Sequence, residues 1–486
     1  MTNNFTYAIL YLDKIINGRK ITLKKIITIL LCVAFTFAIV SCAATEEEVV
    51  PEYQSGISGD VDYQGKTFVY GMVKDYFFEG EDSTLGYINT TEFADLAAQR
   101  LKDVEDKFNC IIDFKYVTRA GEAAFYSVSA GGYEFDFVQE ESYWLVDYII
   151  AGVFLDLASL DGIDATDEEK WGNRYLLSST MWNGGIYGVV PAKHPLRTQN
   201  SMSSIYAINE DYIDSLGVTD PRDYYENGEW TWDTFTDVLM NYTFTNLSGD
   251  KVYAAAVRKG WFPRGMALSN GDDYLTINED GTFEIGFYSD TALKAFNQTF
   301  EWWNGTASEN IMEGGLTEFI DGKCVLGLID AYEVLSGTTS VAYNVERFGL
   351  VPFPSGPDVE PGWFKSFYES ADFTLSIPVN APYPEASARI IDAIFEPFEG
   401  YEDDASVLEY LSHNYFADER DAKLFFSLSD KEHAVYIDHQ HSLTEVLSST
   451  LQRSPSEALQ SAENFQFTTT EKYILPQYQT IAELYE

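Results

Sequence analysis

The chain has 486 residues, of which 45% are hydrophobic and 22% are charged, a composition typical of a globular protein. It is too long for one compact core, which rarely exceeds about 250–300 residues, so at least two lobes or domains are expected. Its 31 basic and 77 acidic side chains give a formal net charge of −46. That charge opposes nucleic-acid binding and free adsorption to anionic lipid, so attachment to a membrane would require an anchor.

The first part of the chain has the pattern of an export signal. Lys24 and Lys25 precede an apolar run that ends at Ser41-Cys42. The run is shorter than the roughly 20 residues of a membrane span and fits the apolar region of a signal peptide. Its last residues, Ile-Val-Ser-Cys42, resemble the bacterial lipobox, in which the cysteine is acylated. We therefore predict a lipoprotein signal peptide over 1–41, lipidation at Cys42 and a flexible polar tether over 42–65; an uncleaved signal anchor is the alternative.

Strand and helix patterns alternate in the first part of the body. The apolar patterns predict strands over 66–73, 109–117 and 135–138 and helices over 93–108 and 143–152. This order is typical of an α/β fold with a parallel sheet, whose ligand crevice lies beyond the carboxyl ends of the strands. Tyr76–Glu79 and Gln139–Trp144 follow two of these strand ends, so both segments are candidate ligand positions.

The rest of the chain continues with mixed patterns. A hairpin is predicted over 275–285, and helices are predicted over 291–303, 384–395 and 442–451. Interruptions of regular pattern over 191–204 and 351–363 are candidate crossings between lobes. Cys110 and Cys324 lie in strand-like apolar surroundings, which favours two buried thiols, with a disulfide between them left open.

Six segments, in order along the body, resemble those of family 1 extracellular solute-binding proteins. They are Asp136–Trp144 with Ala151–Leu157, Gly184–Pro191, Ile208–Gly217, Trp230–Phe235, Phe319–Leu326 and Phe353–Pro357. Each pattern alone has low specificity, but their shared order is what the family shows. Trp230 and Trp232, in the helix-entry segment Trp-Thr-Trp-Asp, are interpreted as packing residues.

The resemblance implies a two-lobed, maltose-binding-protein-like (type II) periplasmic-binding-protein fold, with a hinge between α/β lobes. Residues 66–189 and 355–398 are expected to form the first lobe, and 195–350 and 399–486 the second. The implied function is that of an extracellular receptor of an ABC importer. Such a receptor is anchored by lipid to the outer face of the cell membrane, captures a mono- or oligosaccharide in the interlobe cleft and delivers it to membrane permease subunits. A monomer is expected.

A sugar offers an apolar ring face and a rim of hydroxyls, so its site combines aromatic surfaces with polar groups of fixed geometry. Matching to the family places Glu140, Tyr143 and Trp144 at contact positions; a helix-capping acid and core aromatics are the alternatives. The same matching adds Trp261, Tyr332 and Trp363, although relatives commonly carry Trp where Tyr332 stands. Tyr76 and Glu79 complete the candidate site because they follow the first strand.

Other functions have weaker support in the sequence. No G-x-S-x-G elbow and no Cys–His signature is found, so an enzyme is not expected and a secreted carbohydrate hydrolase is only a remote alternative. His433, His439 and His441 match no zinc spacing, and neither a metal site nor a cofactor is predicted. A binding protein of the same fold for a non-sugar solute such as a polyamine is the nearer alternative.

Overall fold

The computed structural model describes residues 61–73, 83–89, 91–278, 282–335, 337–368, 373–430, 434–436 and 443–485. All of them belong to one compact unit, Ser55–Glu486. Its strands are β1 (Lys66–Val73), β2 (Ser83–Thr84), β3 (Tyr87–Ile88), β4 (Cys110–Val117), β5 (Phe137–Glu140), β6 (Met181–Trp182), β7 (Gly185–Ile186), β8 (Met202–Ser203), β9 (Ile205–Asn209), β10 (Phe244–Thr245), β11 (Lys251–Val257), β12 (Leu275–Ile277), β13 (Phe283–Ile285), β14 (Ile311–Glu313), β15 (Cys324–Ile329), β16 (Phe348–Val351), β17 (Ser366–Tyr368), β18 (Thr374–Ser376) and β19 (Ala434–Tyr436).

Helices alternate with these strands and cover the sheets. The α-helices are α1 (Glu92–Phe108), α2 (Ala120–Ser129), α3 (Ser142–Ile150), α4 (Glu168–Trp171), α5 (Arg197–Asn200), α6 (Glu210–Leu216), α7 (Pro221–Glu226), α8 (Trp232–Asn241), α9 (Trp261–Leu268), α10 (Asp290–Asn304), α11 (Leu316–Ile320), α12 (Tyr332–Leu335), α13 (Val341–Asn344), α14 (Pro384–Ile394), α15 (Asp404–Asn414), α16 (Glu419–Ser427), α17 (Leu443–Thr450), α18 (Pro455–Thr469) and α19 (Leu475–Tyr485).

The first sheet has the strand order β18-β5-β1-β4, with β1 parallel to both β4 and β5 and β18 antiparallel to β5. Helix α1 connects β1 to β4 and buries its apolar stripe, Phe93, Ala97, Val104 and Phe108, as its periodicity predicts. Asn109 ends this helix in the left-handed conformation at φ 48°, which allows β4 to begin at the next residue.

The third predicted strand is displaced by two residues. It was expected over 135–138 but spans Phe137–Glu140, because Asp136 uses its carboxylate and its amide to bind the backbone of Val69. Phe135 packs instead beside Gly71 of β1, where an added Cβ would lie 2.6 Å from the ring. The shift makes Glu140 the last residue of the strand.

The second sheet has the order β10-β11-β15-β9-β16, and β14 also pairs with β11. β11, β14 and β15 run parallel, while β9 is antiparallel to β15 and β16. Every residue of β15 is buried, the pattern of a strand covered on both faces. Helix α8 packs next to this sheet, and Trp230 and Trp232 at its start are buried, which confirms their interpretation as packing residues.

A small sheet has the strand order β19-β17-β8, and its strands β8 and β17 stand in the chain between strands of the two larger sheets. β8 leads directly into β9 of the second sheet, and β17 leads into β18 of the first. β8 lies within the predicted crossing over 191–204, and β17 begins shortly after the predicted crossing over 351–363. These two strands pair antiparallel and are called the linking strands, because each leads into a strand of one of the two larger sheets.

The last two helices of the chain contact residues expected in both lobes. In α18, the Phe467 ring packs at 5.8 Å against Phe283, beside α10. After a π-helical turn at Thr470–Ile474, α19 reaches the segment around β6, where Thr480 Oγ1 accepts the Gly184 amide at 3.1 Å. The chain end therefore packs on residues expected in the first lobe as well as the second.

Candidate functional site

The carboxyl end of β5 lies at the edge of the first sheet where the chain arrives from the linking strand β17. Glu140 pairs with Thr374, the first residue of β18, and β18 follows the linking strand β17 in the chain. The carboxyl end of β4 and the start of α2 lie beside this position, because Arg119 and Gly121 both contact Glu140. Side chains at these strand ends therefore lie next to the linking strands, where a cleft between lobes would have one of its walls.

Glu140 itself is completely buried, with none of its surface exposed. Its Oε2 accepts the Gly121 amide at 3.2 Å, and the Ala120 amide also contributes, so the carboxylate caps the N-terminus of α2. Burial raises the pKa of Glu140 to about 7, although the Gly121 amide and the Arg119 guanidinium both act to lower it. The helix-capping alternative therefore describes what Glu140 does in this conformation.

Arg119 and two aromatic residues form the exposed surface above Glu140. The Arg119 guanidinium lies 4.0 Å from the centre of the Trp144 ring and 3.4 Å from Glu140 Oε1. Tyr143 meets Trp144 edge to face, with ring centres 4.7 Å apart. Trp144 is 39% exposed, which is unusual for so large an apolar side chain. Glu140, Tyr143 and Trp144 thus lie together as predicted, with Trp144 at the surface and Glu140 beneath it.

A second arginine and its carboxylates lie at the strand ends of the other sheet. Arg258 follows the last residue of β11, and Asp330 follows the last residue of β15. Arg258 binds Asp330 through Nη1, and its Nη2 donates to both carboxylate oxygens of Glu333 at 2.6 and 2.7 Å. Asp330 also accepts a hydrogen bond from Ser203 of the linking strand β8, so this group is adjacent to the hinge strands.

The neighbouring charges shift the pKa values of Arg258 and Glu333. Burial lowers the pKa of Arg258, but the Asp330 and Glu333 carboxylates outweigh burial and raise it above its ordinary value. Burial and the neighbouring Asp330 raise the pKa of Glu333, and Arg258 opposes that change. The guanidinium therefore stays charged and is fixed in orientation by its two carboxylate partners.

An open cavity of about 610 Å³ adjoins Arg258, and Trp261 forms part of its wall. This volume lies in the range of small-molecule sites. Trp261 is the first residue of α9, and its ring centre lies 5.8 Å from the Arg258 guanidinium. The remaining lining residues are Ser448 of α17 and Gln452 just beyond it, together with residues from the strand ends and the helices after them: Lys259, Gly260, Glu313, Gly314, Gly315, Leu316, Thr317, Glu318 and Glu333.

The remaining predicted site residues do not all lie with these two groups. Tyr332 begins α12 and is close enough to Arg258 to influence its pKa, so it lies with the second group. Trp363 is half-buried in the loop before β17, where its carbonyl accepts a hydrogen bond from Ser355 and the Lys365 amine lies 6.0 Å from its ring. Tyr76, Glu79 and Cys42 lie outside the described residues.

Sequence reasoning missed both arginines. Arg119 and Arg258 each stand one or two residues beyond a parallel strand, so the strand-end rule that selected Glu140 also applies to them. They were not predicted because the expected sugar site was assigned from aromatic and acidic residues. Only the fold shows that each arginine is held by buried carboxylates and lies over or beside a tryptophan.

The described part of the chain has three further properties. None of its helices is long and apolar enough to cross a membrane. Among the same residues, no three His, Cys, Asp or Glu side chains are grouped so that they could hold a metal ion. Cys110 and Cys324 are buried free thiols, which confirms the first of the two interpretations of these residues.

The fold is that of the maltose-binding-protein-like solute-binding proteins, as predicted. The GacH receptor of Streptomyces glaucescens, solved unliganded and in complex with acarbose, matches with a TM-score of 0.55 at 14% identity, over 84% of this chain and 99% of that one. An ABC substrate-binding protein from Listeria monocytogenes in complex with cycloalternan matches with a TM-score of 0.55 at 15% identity, over 83% and 99%.

A family 1 extracellular solute-binding protein from Alicyclobacillus acidocaldarius matches with a TM-score of 0.50 at 16% identity, over 86% of this chain and all of the other. No protein-family model and no curated protein sequence matches the chain. At these identities the likeness establishes the fold, and it covers nearly the full length of each of the three proteins.

Proposed function

We propose that this protein is an extracellular solute-binding receptor of an ABC importer that captures a mono- or oligosaccharide in a cleft between two lobes. The observation that carries the proposal is the pair of tryptophans, Trp144 and Trp261, at the hinge-side strand ends of the two sheets. Each lies near an arginine that is held by buried carboxylates. The proposed lobes are residues 66–189 with 355–398 and residues 195–350 with 399–486.

The chemistry of the two groups suits a sugar. An indole offers a flat apolar surface to the C–H face of a pyranose ring, while guanidinium, amide and carboxylate groups bind its hydroxyls in fixed directions. Tyr143 and Tyr332 add hydroxyls and further ring surface to the first and second groups. In both groups a cation is already paired with a carboxylate, so neither group requires a charged ligand.

Several solved proteins of this fold were crystallised with carbohydrates or polyols. Besides the acarbose and cycloalternan complexes, they include a cyclo/maltodextrin-binding protein with maltotetraose and a binding protein from Agrobacterium vitis with D-mannitol. Their sequences differ too much from this one for a particular ligand to be transferred. They support a polyhydroxylated solute as the class to test first.

The remaining parts of the proposal come from the sequence. Acylation of Cys42 would tether the receptor to the outer face of the cell membrane, where it would deliver solute to the permease subunits of its importer. The receptor is proposed to act as a monomer and to bind without catalysing a reaction.

Isothermal titration calorimetry tests the ligand class. The panel contains maltotetraose, cycloalternan, mannotriose and D-mannitol, together with spermidine, because three glutamates line the second-lobe cavity. Binding of a sugar or polyol with micromolar or better affinity supports the proposal. Binding of spermidine alone would establish the polyamine alternative instead.

Small-angle scattering tests the motion. A ligand that contacts both lobes favours the closed state, so the radius of gyration should fall when the tightest ligand of the panel is added. A radius that stays unchanged at saturating ligand would contradict a hinged receptor, even if the calorimetry shows binding.

A further inference from the structure

The position of Glu140 conflicts with a direct role in binding. It was selected as a ligand contact, but it has no exposed surface and lies beneath the start of α2. Its two carboxylate oxygens have different partners. Oε2 accepts the Gly121 amide in the first turn of α2, and Oε1 faces the Arg119 guanidinium at 3.4 Å. A solute could reach this carboxylate only after α2 or Arg119 had moved.

Arg119, unlike Glu140, is partly exposed to solvent. Its side chain is 35% exposed, and its guanidinium lies flat enough over Trp144 to approach the ring centre to 4.0 Å. A guanidinium has five N–H donors. Within the described part of the chain, Arg119 donates to Glu140 through one terminal nitrogen, so other donors remain for a solute at the same surface.

We infer that Glu140 is a positioning residue that holds Arg119 against Trp144, and that Arg119 is the hydrogen-bond donor which the first lobe presents to the solute. This inference rests on the proposed function. It replaces Glu140, a predicted ligand contact, with Arg119. Glu140 acts through Arg119, while Arg119 and Trp144 touch the ligand.

The arrangement also defines a class of solute. Because the buried Glu140 carboxylate offsets the charge of Arg119, the pair offers directed donors with little net charge. Hydroxyl and ring oxygens of a neutral polyhydroxylated compound are suitable acceptors for such donors. A polyamine is disfavoured here, because its ammonium groups would face the Arg119 guanidinium while the Glu140 carboxylate is buried beneath it.

Fluorine NMR tests the positioning without any ligand. The protein is labelled with 5-fluorotryptophan, and the Trp144 resonance is identified by its absence in Trp144→Phe. Glu140→Gln and Arg119→Met should shift this resonance in the same direction, and the double variant should shift it no further than Arg119→Met alone. The resonances of the buried Trp230 and Trp302 should stay in place.

Glu122→Gln is the matched control, because it removes the same charge from an exposed position in the first turn of α2. It should leave the Trp144 resonance unchanged. If Glu140→Gln leaves that resonance unchanged while Arg119→Met moves it, Glu140 does not position Arg119 and the inference is wrong. If Glu140→Gln does not fold, a wild-type Trp144 resonance in Arg119→Met overturns the inference by itself.

Calorimetry with maltotetraose, cycloalternan, mannotriose and D-mannitol tests the role in binding. Glu140→Gln and Arg119→Met should each weaken the tightest of these interactions by about tenfold or more, and their effects should not multiply in the double variant. Wild-type affinity in Arg119→Met would overturn the role of Arg119 and leave the proposed function intact. If the wild-type protein binds none of the four compounds, the proposed function fails, while the NMR experiment still decides whether Glu140 positions Arg119.

Discussion

The hydroxyl of Ser203 donates a hydrogen bond of 2.6 Å to the Asp330 carboxylate, and this bond joins the linking strand β8 to the candidate site of the second sheet. Asp330 in turn binds Arg258, which borders the cavity that contains Trp261. A movement of β8 would therefore displace Asp330, one of the two carboxylates that orient Arg258. The contact provides a short structural connection between hinge movement and the geometry of the site.

Ser203→Ala should weaken both stability and binding. It leaves Asp330 Oδ1 with the more distant Ser204 amide at 3.4 Å, and an unsatisfied buried acceptor costs roughly 1–3 kcal/mol. Chemical denaturation should show a loss of about 1–2 kcal/mol in the free energy of unfolding, and calorimetry should show weaker binding of the tightest sugar. Ser215→Ala removes an exposed hydroxyl bonded within its own helix and serves as the control. Equal stabilities for the two variants would contradict the prediction.

Trp144 and Trp232 should respond to truncation in opposite ways. Trp232 is only 8% exposed and packs edge to face on Trp302, so Trp232→Ala should cost about 3–5 kcal/mol of folding free energy. Trp144 is 39% exposed, so Trp144→Ala should keep a near-native melting temperature. Loss of an aromatic contact in a site should weaken binding by about 2 kcal/mol, roughly 30-fold.

Thermal unfolding and calorimetry on both variants distinguish these outcomes. Trp232→Ala should bind normally at temperatures where it is folded. Wild-type affinity in Trp144→Ala would place the site elsewhere on the molecule.

Glu140 should make the folded state less stable as pH rises. Its pKa is raised from 4.5 to about 7 by burial, so the folded state holds its proton more tightly than the unfolded state does. The stabilisation from the bound proton is fully present below pH 4.5 and is lost as pH rises through about 7, a change of up to about 3 kcal/mol. Glu140→Gln cannot release a proton and should lack this part of the pH dependence.

Denaturant unfolding at several pH values between 4 and 8 measures that difference. Asp272 and Asp421 also have pKa values raised by burial, to about 7 and about 6, so the comparison must be made between variant and wild type at each pH. Glu122→Gln should follow the wild-type curve. Parallel curves for Glu140→Gln and wild type would contradict the prediction.

Cys42→Ala should release the protein from the membrane or leave an unprocessed precursor. The Ile-Val-Ser-Cys42 ending of the apolar run motivates this expectation, since the cysteine of a lipobox carries the lipid. Detergent phase partitioning of the expressed protein measures it, with Cys110→Ala, a change at a buried free thiol, as the control. Identical partitioning of Cys42→Ala and wild type would rule out the lipid anchor.

The sequence by itself determined the local elements and the fold class. Period-two and period-3.6 patterns are properties of short segments, so β1 was predicted with its observed bounds and α1 to within one residue at its start. The burial of Trp230 and Trp232 followed from the helix entry in which they lie. The order of short family-like segments predicted the two-lobed fold, because that order reflects the path of the whole chain.

The tertiary structure decided what each strand-end residue does. Glu140 lies beside Tyr143 and Trp144, but whether its carboxylate meets solvent or caps a helix depends on Gly121 and Arg119, which belong to other elements. Arg258 became a candidate only when its carboxylate partners Asp330 and Glu333, distant in sequence, were brought to it by the pairing of β11 with β15. Local patterns carry no information about such contacts, because the free energy of a buried charge depends on the partners that folding brings to it.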